Sequence, residues 1–99
     1  MLALVAAQSF GAKLEVDRDG TWRYVHVPRT VRDSLKRFER RGIISITATV
    51  AGYRWDGSLL PWADGSAQLS IPKPICTKLA LRLGQRLYVE VRPRVEANR

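Results

Sequence analysis

The chain has 99 residues, and its 17 Lys and Arg against 9 Asp and Glu leave a formal net charge of +8 at pH 7. This length suits one domain and is too short for two, and a chain with 45% hydrophobic and 26% charged residues is not collagen-like, a coiled coil or disordered. With a single cysteine, Cys76, and a single histidine, His26, the sequence predicts no internal disulfide, no metal site and no cofactor. A reducing cytoplasm is therefore the expected compartment.

The first predicted segment, residues 1–9, is a flexible apolar leader or an extra edge segment, and it is too short to span a bilayer. Alternation of apolar and polar residues over 10–16 then predicts a half-buried strand. Residues 17–20, Asp-Arg-Asp-Gly, predict a turn, and the β-branched and aromatic run over 21–27 predicts the returning strand of a hairpin. We expect one domain over residues 10–94 and a frayed tail over 95–99.

A helix is predicted after Pro28, with Thr30 as its N-cap and a stop at Gly42. Its apolar stripe consists of Val31, Leu35 and Phe38. A strong strand is predicted next, over residues 43–50.

The second half is predicted to continue with a short strand at 53–55, which the Asp-Gly step at 56–57 ends. A structured loop over 58–65 precedes a strand over 68–71. Pro74 is predicted to open a short helix, and residues 86–92 form the last strand.

Residues 27–35 and 71–79 match at an offset of 44, because both place a β-branched residue, a Pro and a base before a short helix. Two such units predict a pseudo-twofold, mainly β fold: a closed or double-split barrel of about six or seven strands with two short helices. The residues expected to fill its core are Leu14, Val25, Ile44, Ile46, Leu69, Ile71, Val89 and Val91.

The second unit, with Ile71-Pro72, a short helix, Gly84 and a final strand, resembles the swapped-hairpin domain of AbrB-like transcription regulators. That resemblance implies a double-split barrel with both halves in one polypeptide. It also implies that DNA would be contacted through strand ends and adjoining loops, with Arg29, Arg32, Lys73 and Lys78 as phosphate contacts.

A broader resemblance, over residues 10–94, is to the DUF1905 family of small bacterial barrels. It rests on the segments Phe-Gly-Ala-Lys-Leu at 10–14, Trp-Arg-Tyr-Val-His-Val-Pro at 22–28, Val-Ala-Gly-Tyr at 50–53, Ser-Leu-Leu-Pro at 58–61, Asp-Gly at 64–65 and Gly-Gln at 84–85. The chain departs from the family pattern at Cys76, where the family tends to carry a basic residue. The family has no settled activity, so the resemblance implies no catalytic residue.

Positive charge is concentrated on the two repeated helices and their flanks. Residues 29–41 hold six bases and two acids, and residues 73–99 hold seven bases and two acids. Clustered arginines attract phosphates and other polyanions, which predicts binding of nucleic acid or a phosphate-bearing ligand. The candidate anion-binding residues are Arg29, Arg32, Arg37, Lys73 and Lys78.

Aromatic side chains suggest a second function, a small-molecule pocket or a minor hydrolase-like activity at the barrel mouth. The candidate pocket residues are Trp22, Tyr24, Trp55 and Trp62, of which Trp62 is expected to face a ligand while Trp22 and Trp55 are expected to cover the core.

His26 and Cys76 are the candidate catalytic pair, provided the fold brings them together. A third alternative is a protein-interaction domain whose basic face docks an acidic partner. Because both barrel halves lie in one chain, we expect a monomer or a weak homodimer.

Overall fold

The computed structural model describes residues 7–94, so most of the predicted leader and the predicted tail lie outside the described residues. Its strands are β1 (Gln8–Lys13), β2 (Glu15–Val16), β3 (Arg23–Val27), β4 (Ile44–Val50), β5 (Tyr53–Pro61), β6 (Ala67–Ser70) and β7 (Arg86–Pro93). The helices are α1 (Arg29–Ser34) and α2 (Lys73–Lys78), and a 3-10 helix follows α1 at Lys36–Phe38. The first strand thus begins two residues before the predicted domain boundary.

The seven strands form one antiparallel sheet in the order β1-β7-β4-β5-β6-β3-β2. Only Leu14 separates β1 from β2, and these two segments pair with opposite edges of the sheet, β7 and β3. The sheet therefore returns to its own beginning as a nearly closed barrel, which confirms the predicted mainly β fold. In residues 7–94, no helix has the length and apolarity needed to cross a membrane.

The barrel core is built from alternate residues along the strands, because successive side chains of a strand point to opposite faces of the sheet. Strand β4 alternates strictly, with every second residue buried from Ile44 to Val50. All eight residues predicted for the core are buried, which confirms that part of the prediction.

The internal repeat extends further than the sequence match. The segments β1/β2, β3, α1 and β4 correspond to β5, β6, α2 and β7, and both helices follow a Pro in extended conformation, Pro28 or Pro72. The repeat offset also relates Val25 to Leu69, and these two residues face each other in the β3–β6 pair. The pairing is thus symmetric about its own centre, as a pseudo-twofold axis demands.

The two predicted helix starts are wrong, by two residues for α1 and by one for α2. Helix α1 begins at Arg29, with Pro28 rather than Thr30 as its N-cap, and α2 begins at Lys73 rather than at Pro74. In both cases the N-cap Pro holds the backbone extended up to the helix, and no side chain caps the helix N-terminus. Phe38 belongs to the separate 3-10 helix and not to α1.

The predicted break at Asp56–Gly57 is also wrong, because β5 continues through it and the first half of the predicted loop, residues 58–61, is strand. These two residues pair with Thr47 and Ile46 of β4. The actual turn lies at Ala51 and Gly52, whose φ angles are 50° and 82°. Two successive positive φ values suit a tight hairpin, since their twist matches that of the paired strands.

The antiparallel β3–β6 pair decides where the two basic helices lie. Helix α1 follows the end of β3 and α2 follows the end of β6, and antiparallel neighbours end on opposite sides. The helices therefore occupy opposite ends of the barrel, called here the α1 end and the α2 end. The positive charge does not form one shared helical face.

Candidate functional site

A cleft of about 690 Å³ opens at the α2 end, between α2 and the beginning of β3. Its lining includes the cationic side chains of Arg23, Lys73 and Arg82, and none of the described lining residues is acidic. Within residues 7–94 none of these three side chains forms an ion pair. The remaining lining residues are Cys76, Thr77, Ala80 and Leu81.

Backbone hydrogen bonds hold the walls of this cleft together. The N–H of Ile71 donates to the carbonyl of Arg23 at 2.8 Å, which fixes the first residue of β3 beside the segment leading into α2. The N–H of Leu81 donates to the carbonyl of Cys76 at 2.9 Å, and Ala80 takes a φ of 53° to let the chain turn after α2. The cleft is thus formed by regular elements and one constrained turn.

A second depression, of about 340 Å³, adjoins the cleft and shares Arg23 and Lys73 with it. We call it the apolar shelf, because its other contributors include Trp22, Ile71 and Pro72. The Trp22 side chain is 59% exposed, although the sequence places this residue among those expected to cover the core.

Cys76 faces the cleft region but is itself buried, with 6% exposure, and its Sγ lies 3.8 Å from the carbonyl oxygen of Ile71. Burial raises the pKa of this thiol, and the positive charge of Arg23 offsets only part of that effect. The protonated thiol is a poor nucleophile. His26 is bound at the opposite end, so the structure does not bring the candidate catalytic pair together.

At the α1 end two arginines form hydrogen bonds within the protein. The Arg29 guanidinium donates to the carbonyl of Asp64. Arg32 donates to the carbonyl of Ser66 at 3.2 Å and pairs with Glu39 at 3.6 Å. Gly65 is required beside them, since its φ is +93° and a Cβ at this position would lie 2.7 Å from Nε of Arg29.

A polar chain links three residues of the α1 end. The Ser66 hydroxyl donates to Oδ1 of Asp64 at 2.5 Å, and Nε2 of His26 lies 2.7 Å from the same hydroxyl oxygen. Because the single serine proton is committed to Asp64, Nε2 of His26 is the donor to Ser66. Nucleophile activation needs an imidazole between serine and carboxylate, whereas here the serine lies between the other two groups. These hydrogen bonds between His26, Ser66 and Asp64 therefore stabilise the loop between β5 and β6.

Hydrogen bonding also sets the charge of this loop. The hydroxyl and the backbone N–H of Ser66 both donate to the Asp64 carboxylate, which lowers the pKa of that group below its ordinary value. Ser66 itself is buried, with 4% exposure. Asp64 is thus a structural acceptor held in its charged form.

Trp62 is held by contacts within the α1 end. Its ring lies 4.7 Å from that of His26 and 6.2 Å from that of Tyr24. Its indole N–H donates to Oε1 of Gln68 at 3.0 Å. The indole N–H of Trp62, which was expected to face a ligand, thus already has a hydrogen-bond partner, and its ring already contacts other side chains. By contrast, Trp55 packs against the core, and its buried Nε1 has no hydrogen-bond partner within residues 7–94.

The last two candidate bases lie over aromatic rings. Lys78 places Nζ 6.0 Å from the ring centre of Tyr53, and Arg37 lies 5.0 Å from that of Phe38. Both side chains are exposed, and neither lines the cleft. Among the five anion-binding candidates, only Lys73 therefore lines it.

The internal repeat relates the cleft at the α2 end to the equivalent position at the α1 end. An offset of 44 relates Arg29 to Lys73 and Arg32 to Cys76. The short Cys76 side chain cannot reach across as Arg32 does to Ser66, so the corresponding space stays open. Sequence reasoning missed Arg23, Arg82 and Ser66 as site residues, and the Arg-to-Cys difference between the repeats is the signal that could have indicated the cleft.

Comparison with known families gives one match. The model described as Domain of unknown function (DUF1905) matches residues 10–91, which is nearly the whole described barrel. No curated protein matches the chain. The family description assigns no activity, so the candidate site rests on the geometry above.

Proposed function

We propose that this protein, which belongs to the DUF1905 family, binds a phosphate-bearing anion in the cleft at the α2 end. The observation that carries this proposal is the convergence of Arg23, Lys73 and Arg82 on one concave surface whose described lining contains no carboxylate. Like charges in a confined space repel one another, and an anion between them relieves that repulsion.

The types of these side chains also favour phosphate. An arginine guanidinium donates two parallel hydrogen bonds to a phosphate, whereas lysine supplies a compact point charge. The hydroxyl of Thr77 is a further donor in the same lining. A ligand with several anionic oxygens could use these donors together.

Binding fits the site better than catalysis. Burial keeps the Cys76 thiol protonated, and the imidazole of His26 is at the other end of the barrel. The polar chain at the α1 end has the wrong order for activating Ser66. We therefore propose a binding module, with the α1 end as its structural support.

Calorimetric titration with pyrophosphate at low salt tests the proposal. We expect affinity to weaken as salt screens the cations, and Lys73→Ala or Arg82→Ala to weaken it about tenfold, since charge-assisted hydrogen bonds are lost. Arg37→Ala is the matched control, because it also removes one exposed positive charge but lies at the α1 end.

Two results would contradict this proposal. One is the absence of heat or chemical-shift change up to millimolar pyrophosphate. The other is an equal loss of affinity in Lys73→Ala and Arg37→Ala, since that pattern reports net charge alone and no localised site.

A further inference from the structure

We infer that the ligand is a mononucleotide, whose phosphate occupies the cleft at the α2 end while its base lies on the apolar shelf against Trp22. This inference rests on the proposed function and adds the class of ligand. It comes from the two depressions being adjacent and sharing Arg23 and Lys73. A ligand bound across both must carry an anionic part beside an apolar part.

Trp22 is positioned for a flat partner. Its side chain is 59% exposed, yet its backbone is fixed on both sides by Asp17: the N–H of Trp22 donates to Oδ1 of Asp17 at 3.1 Å, and its carbonyl accepts from the N–H of Asp17 at 3.0 Å. The anchored backbone fixes where the indole projects, and an indole has only two side-chain torsions to order when a ring stacks on it. Base stacking on aromatic side chains is favourable for every base.

The distribution of charge favours a mononucleotide over a nucleic-acid strand. A strand needs cations spaced along a track, but α1 and α2 lie at opposite ends of the barrel, and Arg29 and Arg32 are engaged in internal hydrogen bonds. Arg23, Lys73 and Arg82 line one concave cleft instead. A single phosphate group matches this arrangement.

Calorimetric titrations with three probes test the inference: AMP, ribose 5-phosphate and a single-stranded hexanucleotide of adenine. We expect AMP to bind about tenfold more tightly than ribose 5-phosphate, because only AMP adds a base to stack. Trp22→Ala should remove most of that difference and Trp22→Phe should retain it. The control is Tyr88→Ala, since Tyr88 is 73% exposed and lies on β7, outside both depressions.

The outcomes separate the two proposals. Equal binding of AMP and ribose 5-phosphate, both weakened by Lys73→Ala, overturns the inference about the base and leaves the anion site standing. Binding of neither compound overturns the inference, and it overturns the anion site as well only if pyrophosphate also fails to bind. A hexanucleotide that binds far more tightly than AMP overturns the mononucleotide in favour of nucleic acid.

Discussion

At the α1 end, Arg32 donates to the carbonyl of Ser66 and pairs with Glu39, whereas at the α2 end the equivalent position holds Cys76 beside an open cleft. The two ends are otherwise built alike, from a strand, a Pro, a six-residue helix and a returning strand. One half of a duplicated fold can thus use its basic residues for its own stability while the other leaves them free for a ligand.

The two ends also differ in how much of their positive charge is available to a ligand. By sequence, the α1 segment is the more compact basic cluster, with six bases in residues 29–41. In the structure, two of those bases are bound to carbonyls of the loop before β6. Local charge density alone therefore does not locate a binding site, because a cation that is already hydrogen-bonded attracts a ligand less.

Matched truncations of Leu35 and Leu79, which directly follow α1 and α2, are expected to give the largest difference in the free energy of unfolding between the two ends. Leu35 is 2% exposed and Leu79, its repeat equivalent, is half-buried. We expect Leu35→Ala to lower the free energy of unfolding by about 3 kcal/mol and Leu79→Ala by about half as much, since less apolar contact is lost. Urea denaturation measures both, and equal losses would show that the two helices are packed equally.

A smaller loss is expected when the bound arginine is removed. Arg32→Ala should lower the free energy of unfolding by about 2 kcal/mol, because the carboxylate of Glu39 loses its partner and the carbonyl of Ser66 keeps only the N–H of Trp62. Lys73→Ala at the α2 end should change it by no more than about 0.5 kcal/mol, as expected for an exposed side chain. Equal losses of unfolding free energy for Arg32→Ala and Lys73→Ala in urea denaturation would contradict the proposed difference between the two ends.

The smallest effect concerns one carboxyl group. Since the Asp64 pKa is lowered in the folded state, its contribution to stability is present above its unfolded pKa and is lost as pH falls through the folded pKa. Ser66→Ala removes the hydroxyl donor, so we expect the Asp64 pKa to rise toward its ordinary value. NMR titration of the carboxyl carbon measures this shift. Ser45→Ala on β4 is the control, and an unchanged pKa in Ser66→Ala would exclude the hydroxyl as the cause.

Most of the fold could be predicted because strand periodicity and Pro placement are local signals. The alternation in β4 and β7 and the Val-Pro and Ile-Pro steps before the helices identified the barrel, its repeat and eight of its core residues. The break at Asp56–Gly57 was mispredicted because an Asp-Gly step favours a turn only where the chain needs one. Pairing with β4 keeps these two residues extended.

The candidate site was less predictable, because its residues come from distant parts of the chain. Arg23 begins β3, Lys73 begins α2, and Arg82 lies in the turn after α2. No motif joins these positions. In the sequence, Trp22 cannot be distinguished from an aromatic residue that packs on the core, because only the fold shows that it is exposed.

The sequence by itself determined a single β domain with an internal repeat, since hydrophobic period, turn residues and the 44-residue offset are properties of neighbouring positions. Only the tertiary structure decided where the positive charge is available. The antiparallel β3–β6 pair sends α1 and α2 to opposite ends. Arg32 extends to the carbonyl of Ser66 at one end, whereas its repeat equivalent Cys76 lines an open cleft at the other. Those outcomes depend on contacts between residues far apart in the chain, which no local pattern records.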